Sequence, residues 1–206
     1  NPERVAKVCA DIIEHFYSTV DPLGMKAQVV VFDRGLCVAY HQELTRQLAA
    51  RAQAAGTAPD EAAVVMSMQS KDPADWQQYK LTEQQEQEVL NRFRAHGDRL
   101  KFLIVTSKLG TGFDAPIEGV MYLDKPLKLH TLFQTITRTN RNWKNPDTGQ
   151  EKKYGLIVDY VGLGDGFARA MAPANPQTKK TELETDTLID QFEEELATAL
   201  DRFAGI

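Results

Sequence analysis

Nowhere in its 206 residues does the chain carry the G-x-x-x-x-G-K-[ST] loop that wraps nucleotide phosphates, so it holds no complete P-loop site. Cysteine is scarce. Cys9 and Cys37 both fall in apolar patterns without paired spacing, which excludes a disulfide framework and reads as two reduced core thiols in the cytoplasm. The four histidines (His15, His41, His96 and His130) lack metal-ligand spacing, so no metal site is expected. No apolar run approaches the roughly 18 residues of a membrane span, and no signal peptide is visible, so no membrane partner is expected. A basic excess is also missing, the net charge being −5. That charge sits in the tail, where three Lys/Arg meet eight Asp/Glu from Ala172 onward. The remainder is balanced and can still hold a local basic groove. Asp60-Glu61-Ala62-Ala63 imitates a metal-binding acidic box but follows Ala-Gly-Thr-Ala-Pro instead of an apolar strand, so it is set aside. No nuclease carboxylate cluster with its lysine is recognisable either. The first residue is Asn1, within a running helical pattern, so the chain reads as a fragment.

What is present is an ordinary globular composition, 42% hydrophobic and 26% charged. Residues 2–19 read as an amphipathic helix with Val5, Val8, Cys9, Ile12, Ile13 and Phe16 on one face. Short apolar runs at 28–32, 63–68, 101–107, 119–123 and 155–160 read as strands. Helical patterns at about 37–54 and from the capping box Thr82/Gln85 to His96 lie between them. This alternation predicts a parallel α/β sheet with crossover helices. Gly162, Gly164, Gly166, Pro173 and Pro176 then break the pattern. The expected layout is one α/β domain over 1–167, a linker over 168–180, and a helix over 181–206 with Leu188, Ile189, Phe192, Leu196, Leu200 and Phe203 as its stripe. That helix either packs on the sheet or begins a helical domain.

One stretch, 129–141, organises the rest. As a single helix it buries Leu129, Leu132, Phe133 and Ile136, while Gln134, Arg138 and Arg141 share the opposite face. Two guanidiniums on one face suit phosphate oxygens, since each presents a rigid fork of donors. Upstream, Thr106-Ser107-Lys108-Leu109-Gly110-Thr111-Gly112-Phe113-Asp114-Ala115-Pro116 directly follows a strand. Its hydroxyls and glycines let a polyanion approach the backbone, and Asp114 can meet a ribose hydroxyl. Ligands gather at the carboxyl ends of strands in open α/β sheets, so these groups are expected together at one sheet edge.

Thr106 with T-G-x-D-x-P, followed by Q-x-x-x-R-x-x-R, resembles motifs V and VI of superfamily-two helicases. The longer string T-G-F-D-A-P, Y-L-D-K-P-L-K, H-x-L-x-Q-x-x-x-R-x-N-R and G-L-I-V-D-Y-V-G is similar to the motor (R) subunit of type I restriction enzymes. Thr137 stands where many helicases have Gly, a departure these subunits share. The resemblance covers residues 27–167 and implies the second RecA-like domain, a three-layer α/β fold, of an ATP-dependent DNA translocase. It implies ATP and Mg held mainly by an absent first motor domain. Arg138 and Arg141, the latter foremost, would act on the γ-phosphate, and Gln134, Gly112 and Asp114 would lie at the nucleotide. Thr106, Ser107 and Arg34 would lie at double-stranded DNA. Partners implied are the N-terminal motor and nuclease domains of the same polypeptide and the modification and specificity subunits. The alternatives are a domain of another superfamily-two helicase, or a non-catalytic Rossmann-like module binding a nucleotide or a protein.

Overall fold

The computed structural model describes residues 1–106, 113–127, 131, 134 and 137–162. Five strands form one sheet in the order β2-β3-β1-β4-β5, every neighbouring pair parallel. They are β1 (Lys26–Val31), β2 (Glu61–Val65), β3 (Leu100–Val105), β4 (Glu118–Asp124) and β5 (Leu156–Asp159). β1 and β4 are buried at every position, as expected of central strands in a doubly covered parallel sheet, and the burial includes the polar Lys26, Gln28, Glu118 and Asp124 as well as the apolar residues between them.

The path from β1 to β2 runs outward and that from β2 to β3 runs back. Right-handed crossovers therefore place α2 (Arg34–Ala55) and α3 (Glu83–Arg94) on opposite faces. α1 (Pro2–His15) shares the α2 face, where Ile12, Phe16, Tyr40 and Leu44 pack against Val29, Ile104 and Tyr122. On the other face Phe93 of α3 meets Phe113, ring centroids 6.0 Å apart. The Thr82/Gln85 capping box is present, and both cysteines are free and buried. No described helix is long and apolar enough to cross a membrane.

Boundaries differ where local chemistry overrides periodicity. α1 ends at His15 and passes into a π-helical turn, Phe16–Val20, which puts both Phe16 and Val20 fully in the core. α2 starts at Arg34 because Asp33 caps it, its carboxylate accepting from the Leu36 N–H at 2.8 Å. β3 stops at Val105, which leaves Thr106 just beyond the strand.

The stretch expected to be one helix through Arg141 ends sooner. Residues 131, 134 and 137–139 are helical, Asn140 turns, and Arg141 lies outside the helix. The Thr139-Asn140-Arg141-Asn142 sequence explains this, because Asn and Thr side chains compete for backbone groups. Gln134, Arg138 and Arg141 are therefore not three positions on one helical face. The chain divides into two compact units, Asn1–Asp165 and Gly166–Ile206. The linker and terminal helix expected over 168–206 lie outside the described residues, as do Ser107 and Gly112.

Candidate functional site

The expected gathering at one sheet edge does not occur. The groups divide between the two ends of the sheet: Thr106 follows the carboxyl end of β3, whereas Asp114 lies just before the amino end of β4, where its carbonyl accepts from Arg94. β4 has seven residues, so the two ends stand about 23 Å apart at about 3.3 Å per residue.

At the carboxyl ends lies a cleft of about 520 Å³ lined by Phe32, Asp33, Arg34, Gly35, Trp76, Thr106 and Lys125. Arg34, the first residue of α2, turns its guanidinium onto the loop after β2. Its Nε and Nη2 donate to Asp72 Oδ1 at 3.1 and 2.9 Å, and Nη2 also donates to Gln69 Oε1 at 3.1 Å. The Asp72 carboxyl is held below its usual range, chiefly by the Gln69 N–H, with the Arg34 guanidinium adding to it. Arg34 thus braces one wall, while Thr106 and Lys125 present a hydroxyl and an ammonium to the cleft. Phe32 is 58% exposed at the rim. It ends an apolar run, so the sequence reads it as core and gives no sign of its exposure.

At the amino end, the turn entering β4 is held through its carbonyl oxygens by three cations. Arg138 Nη1 donates to Phe113 O at 2.8 Å, and Arg94 Nε donates to Asp114 O at 2.8 Å. Lys152 Nζ donates to Pro116 O at 2.7 Å and Glu118 O at 3.0 Å. Ala115 O accepts from the Glu118 N–H. The Arg94 guanidinium also lies over the Phe113 ring, 4.9 Å from its centroid. Arg141 Nε stands 3.6 Å from Asp114 Oδ1, both side chains more than half exposed, so their attraction is weak and screened. Gln134 is exposed, with its carbonyl accepting from the Thr137 hydroxyl.

Behind this turn the Glu118 carboxyl is fully buried, and its Oε1 has no hydrogen-bond partner among the described residues. Burial pushes it up to about 8, against the opposing pull of Lys152 and Arg138. Burial likewise pushes the Lys152 ammonium down to about 8, against the pull of Glu118 and Asp114. Burial thus favours the neutral form of both Glu118 and Lys152 while each one's charge opposes the shift of the other, and the turn is ringed by Arg94, Arg138, Lys152 and Arg141 with Asp114 exposed beside them. Sequence reasoning missed Arg94, Lys152 and Glu118. Each is an ordinary polar residue in sequence, and only the crossing of the chain brings them to one turn.

Residues 63–162 match the family model for type I restriction enzyme subunit R domain 3. The chain is 34% identical over 186 residues to the HindI endonuclease subunit of Haemophilus influenzae, a type I restriction enzyme, covering 89% of this chain and 17% of that protein. It is also 34% identical over 184 residues to the MjaIXP endonuclease subunit of Methanocaldococcus jannaschii, assigned to the same enzyme type, covering 89% and 16%. It thus spans about one sixth of these relatives' length. Among solved structures, a fragment assigned as an HsdR subunit of a type I restriction enzyme from Vibrio vulnificus superposes with a TM-score of 0.58 at 19% identity, covering 85% of this chain and 30% of that one. A variant of Saccharomyces cerevisiae Dbp5 bound to RNA and ADP BeF3 superposes with a TM-score of 0.54 at 16% identity, covering 95% and 43%. These two likenesses concern the fold alone. By sequence, the chain belongs to the R-subunit family of type I restriction enzymes, as a domain of helicase-like RecA fold.

Proposed function

We propose that this chain is the second motor domain of an ATP-dependent DNA translocase within such an R subunit. Its two sheet ends would serve two ligands, nucleotide at the amino end and DNA at the carboxyl end. The observation that carries the reading is the turn Phe113–Glu118, ringed by Arg94, Arg138, Lys152 and Arg141 with Asp114 exposed among them.

Such a donor set fits a polyphosphate bearing a ribose. Guanidiniums suit phosphoryl oxygens, and Asp114 suits a sugar hydroxyl. No group of three metal-ligating side chains occurs among the described residues, so Mg would be held chiefly by the first motor domain, which would also supply the phosphate loop. Arg138 is half-buried and engaged with Phe113 O, whereas Arg141 is exposed beyond the helix end. Arg141 is therefore the better placed to reach charge growing on a transferring phosphoryl group, with Arg138 setting its base. Gln134, Gly112 and Asp114 complete the nucleotide side.

At the other end, the Thr106 hydroxyl and the Lys125 ammonium would meet phosphates of double-stranded DNA, with Ser107 beside them and Arg34 bracing the wall. Contacts to phosphate carry no sequence information, as a translocating motor requires. The modification and specificity subunits and the nuclease domain would complete the assembly, in the cytoplasm.

The test is the intact R subunit carrying Arg141→Ala, Arg138→Ala or Thr106→Ala, assayed for DNA-stimulated ATP turnover and for DNA retention. Arg141→Ala should cut turnover by about 10³–10⁵-fold and keep DNA bound. Arg141→Lys should not rescue, since charge without the fork is insufficient. Thr106→Ala should weaken DNA binding by about 1 kcal/mol, equally for all sequences. Near-normal turnover in both arginine variants overturns the nucleotide assignment, and a sequence-dependent loss with Thr106→Ala overturns the backbone assignment.

A further inference from the structure

We infer that Lys152 is a positioning residue for the nucleotide end: it fixes the turn against which Arg138 and Arg141 are set, with the buried Glu118 carboxyl behind it. The inference rests on the nucleotide reading above and deepens it by naming what holds the arginines in place.

Lys152 is anchored twice over. Its backbone N–H donates to Trp143 O at 2.8 Å, and Asn145 N–H donates to Gln150 O at 2.8 Å, so residues 143–152 fold back as a hairpin. The Asn145 amide in turn donates to Leu23 O at 3.0 Å, which ties the hairpin to the turn before β1. That hairpin begins two residues after Arg141. The Lys152 side chain then reaches across to Pro116 O and Glu118 O. One residue thus joins the segment leaving Arg141 to the turn that Arg138 grips and that carries Asp114.

The chemistry of the contact argues against a packing role. A half-buried ammonium whose partners are two neutral carbonyls is costly where an apolar side chain of equal length would fit. Glu118 adds to that cost, being a fully buried carboxyl with one oxygen unpartnered among the described residues. A group retained for packing alone would be apolar. A donor able to hold two carbonyls on either side of Ile117 fixes the entry of β4 in register.

The experiment uses the intact R subunit with Lys152→Met and Lys152→Arg, assayed for DNA-stimulated ATP turnover, DNA affinity and thermal midpoint. Lys152→Met should lower kcat by about 10²-fold, the loss that a misplacement of about 1 Å produces, with DNA affinity unchanged. Lys152→Arg keeps the charge and two donors and should recover most of that loss. A packing role gives the opposite order, with Met tolerated and the larger Arg not. If Lys152→Met gives no folded protein, Lys152→Gln, which keeps one donor pair and no charge, carries the same expectation. Turnover by Lys152→Met within about twofold of the parent, or no recovery by Arg, overturns the inference. Arg141→Ala is run in parallel. If it is inactive while Lys152→Met is normal, this inference alone falls, and if it turns over normally, the nucleotide reading beneath both falls.

Discussion

At Gly155, just before β5, there is no room for one added carbon. A Cβ there would come within 2.3 Å of the Thr139 carbonyl oxygen and 2.5 Å of its Cβ. The strand entry and the end of the Arg138 helix touch backbone to backbone. Gly155→Ala should therefore destabilise the chain by about 1–3 kcal/mol, the usual cost of overpacking, read as a lower chemical-denaturation midpoint. An unchanged midpoint would mean that the two segments can separate without loss. A second residue-scale prediction concerns Glu118, whose carboxyl is raised from its ordinary 4.5 to about 8 by burial. The folded chain holds this proton more tightly than the unfolded chain. The ionisation of Glu118 thus costs nothing below pH 4.5, destabilises progressively as pH rises from there to 8, and costs its full amount above 8. Glu118→Gln should remove that slope. The thermal midpoint of the parent should fall relative to the variant between pH 5 and 8 and converge with it at pH 4. Neither Gly155 nor Glu118 announces itself in the sequence. Gly155 reads as the first position of an apolar strand and Glu118 as a polar residue before one. Their significance comes from contacts made across sequence gaps of 16 and 34 residues, to Thr139 and Lys152.

Elements were legible where periodicity and caps agree, and less so where tertiary contacts set their ends. The Thr82/Gln85 box and the apolar centres of β1 and β4 could be read directly. The early end of the Arg138 helix could not, and with it went the expectation that three polar groups share one face. The split between two sheet ends was hidden for a related reason, since the sequence places Thr106 after one strand and Asp114 before the next without showing that these are opposite ends of the sheet. α1 owes its place to a pairing 120 residues distant in the chain. Arg4 Nη1 donates to Asp124 Oδ2 at 2.7 Å, and the buried Tyr40 hydroxyl donates to the same oxygen at 2.6 Å. Burial pushes the Asp124 carboxyl up, but the hydrogen bonds from Arg4 and Tyr40 outweigh it and hold it below the usual carboxylate range. Asp124→Ala strands a buried hydroxyl as well as a guanidinium and should cost about 1–3 kcal/mol. Arg4→Ala should cost less, because the Arg4 side chain is 45% exposed and water replaces it readily. Equal losses, measured by denaturant midpoint, would show that Tyr40 finds another acceptor.

For the whole molecule, the proposed division of labour between the two ends has a direct consequence for the chain by itself. With no phosphate loop in its sequence and its cationic turn offering only part of a nucleotide site, the 206-residue chain should hydrolyse ATP no faster than buffer does. Sustained turnover, free of contaminating ATPase, would rule out a site shared with a preceding domain. The remaining consequence is mechanical. Hydrogen-bonded parallel strands do not stretch, so a displacement at one end of the sheet is carried to the other by turning the layer as a body. Pivoting about the clamped turn at the amino end of β4, a lever of about 23 Å needs to swing only about 8–9° to carry the Thr106 cleft by about 3.4 Å, the axial spacing of successive phosphates along one DNA strand. Spin labels placed at the two ends, each paired with a label on the first motor domain of the intact subunit, would register that swing as a large distance change for the carboxyl-end pair and almost none for the other.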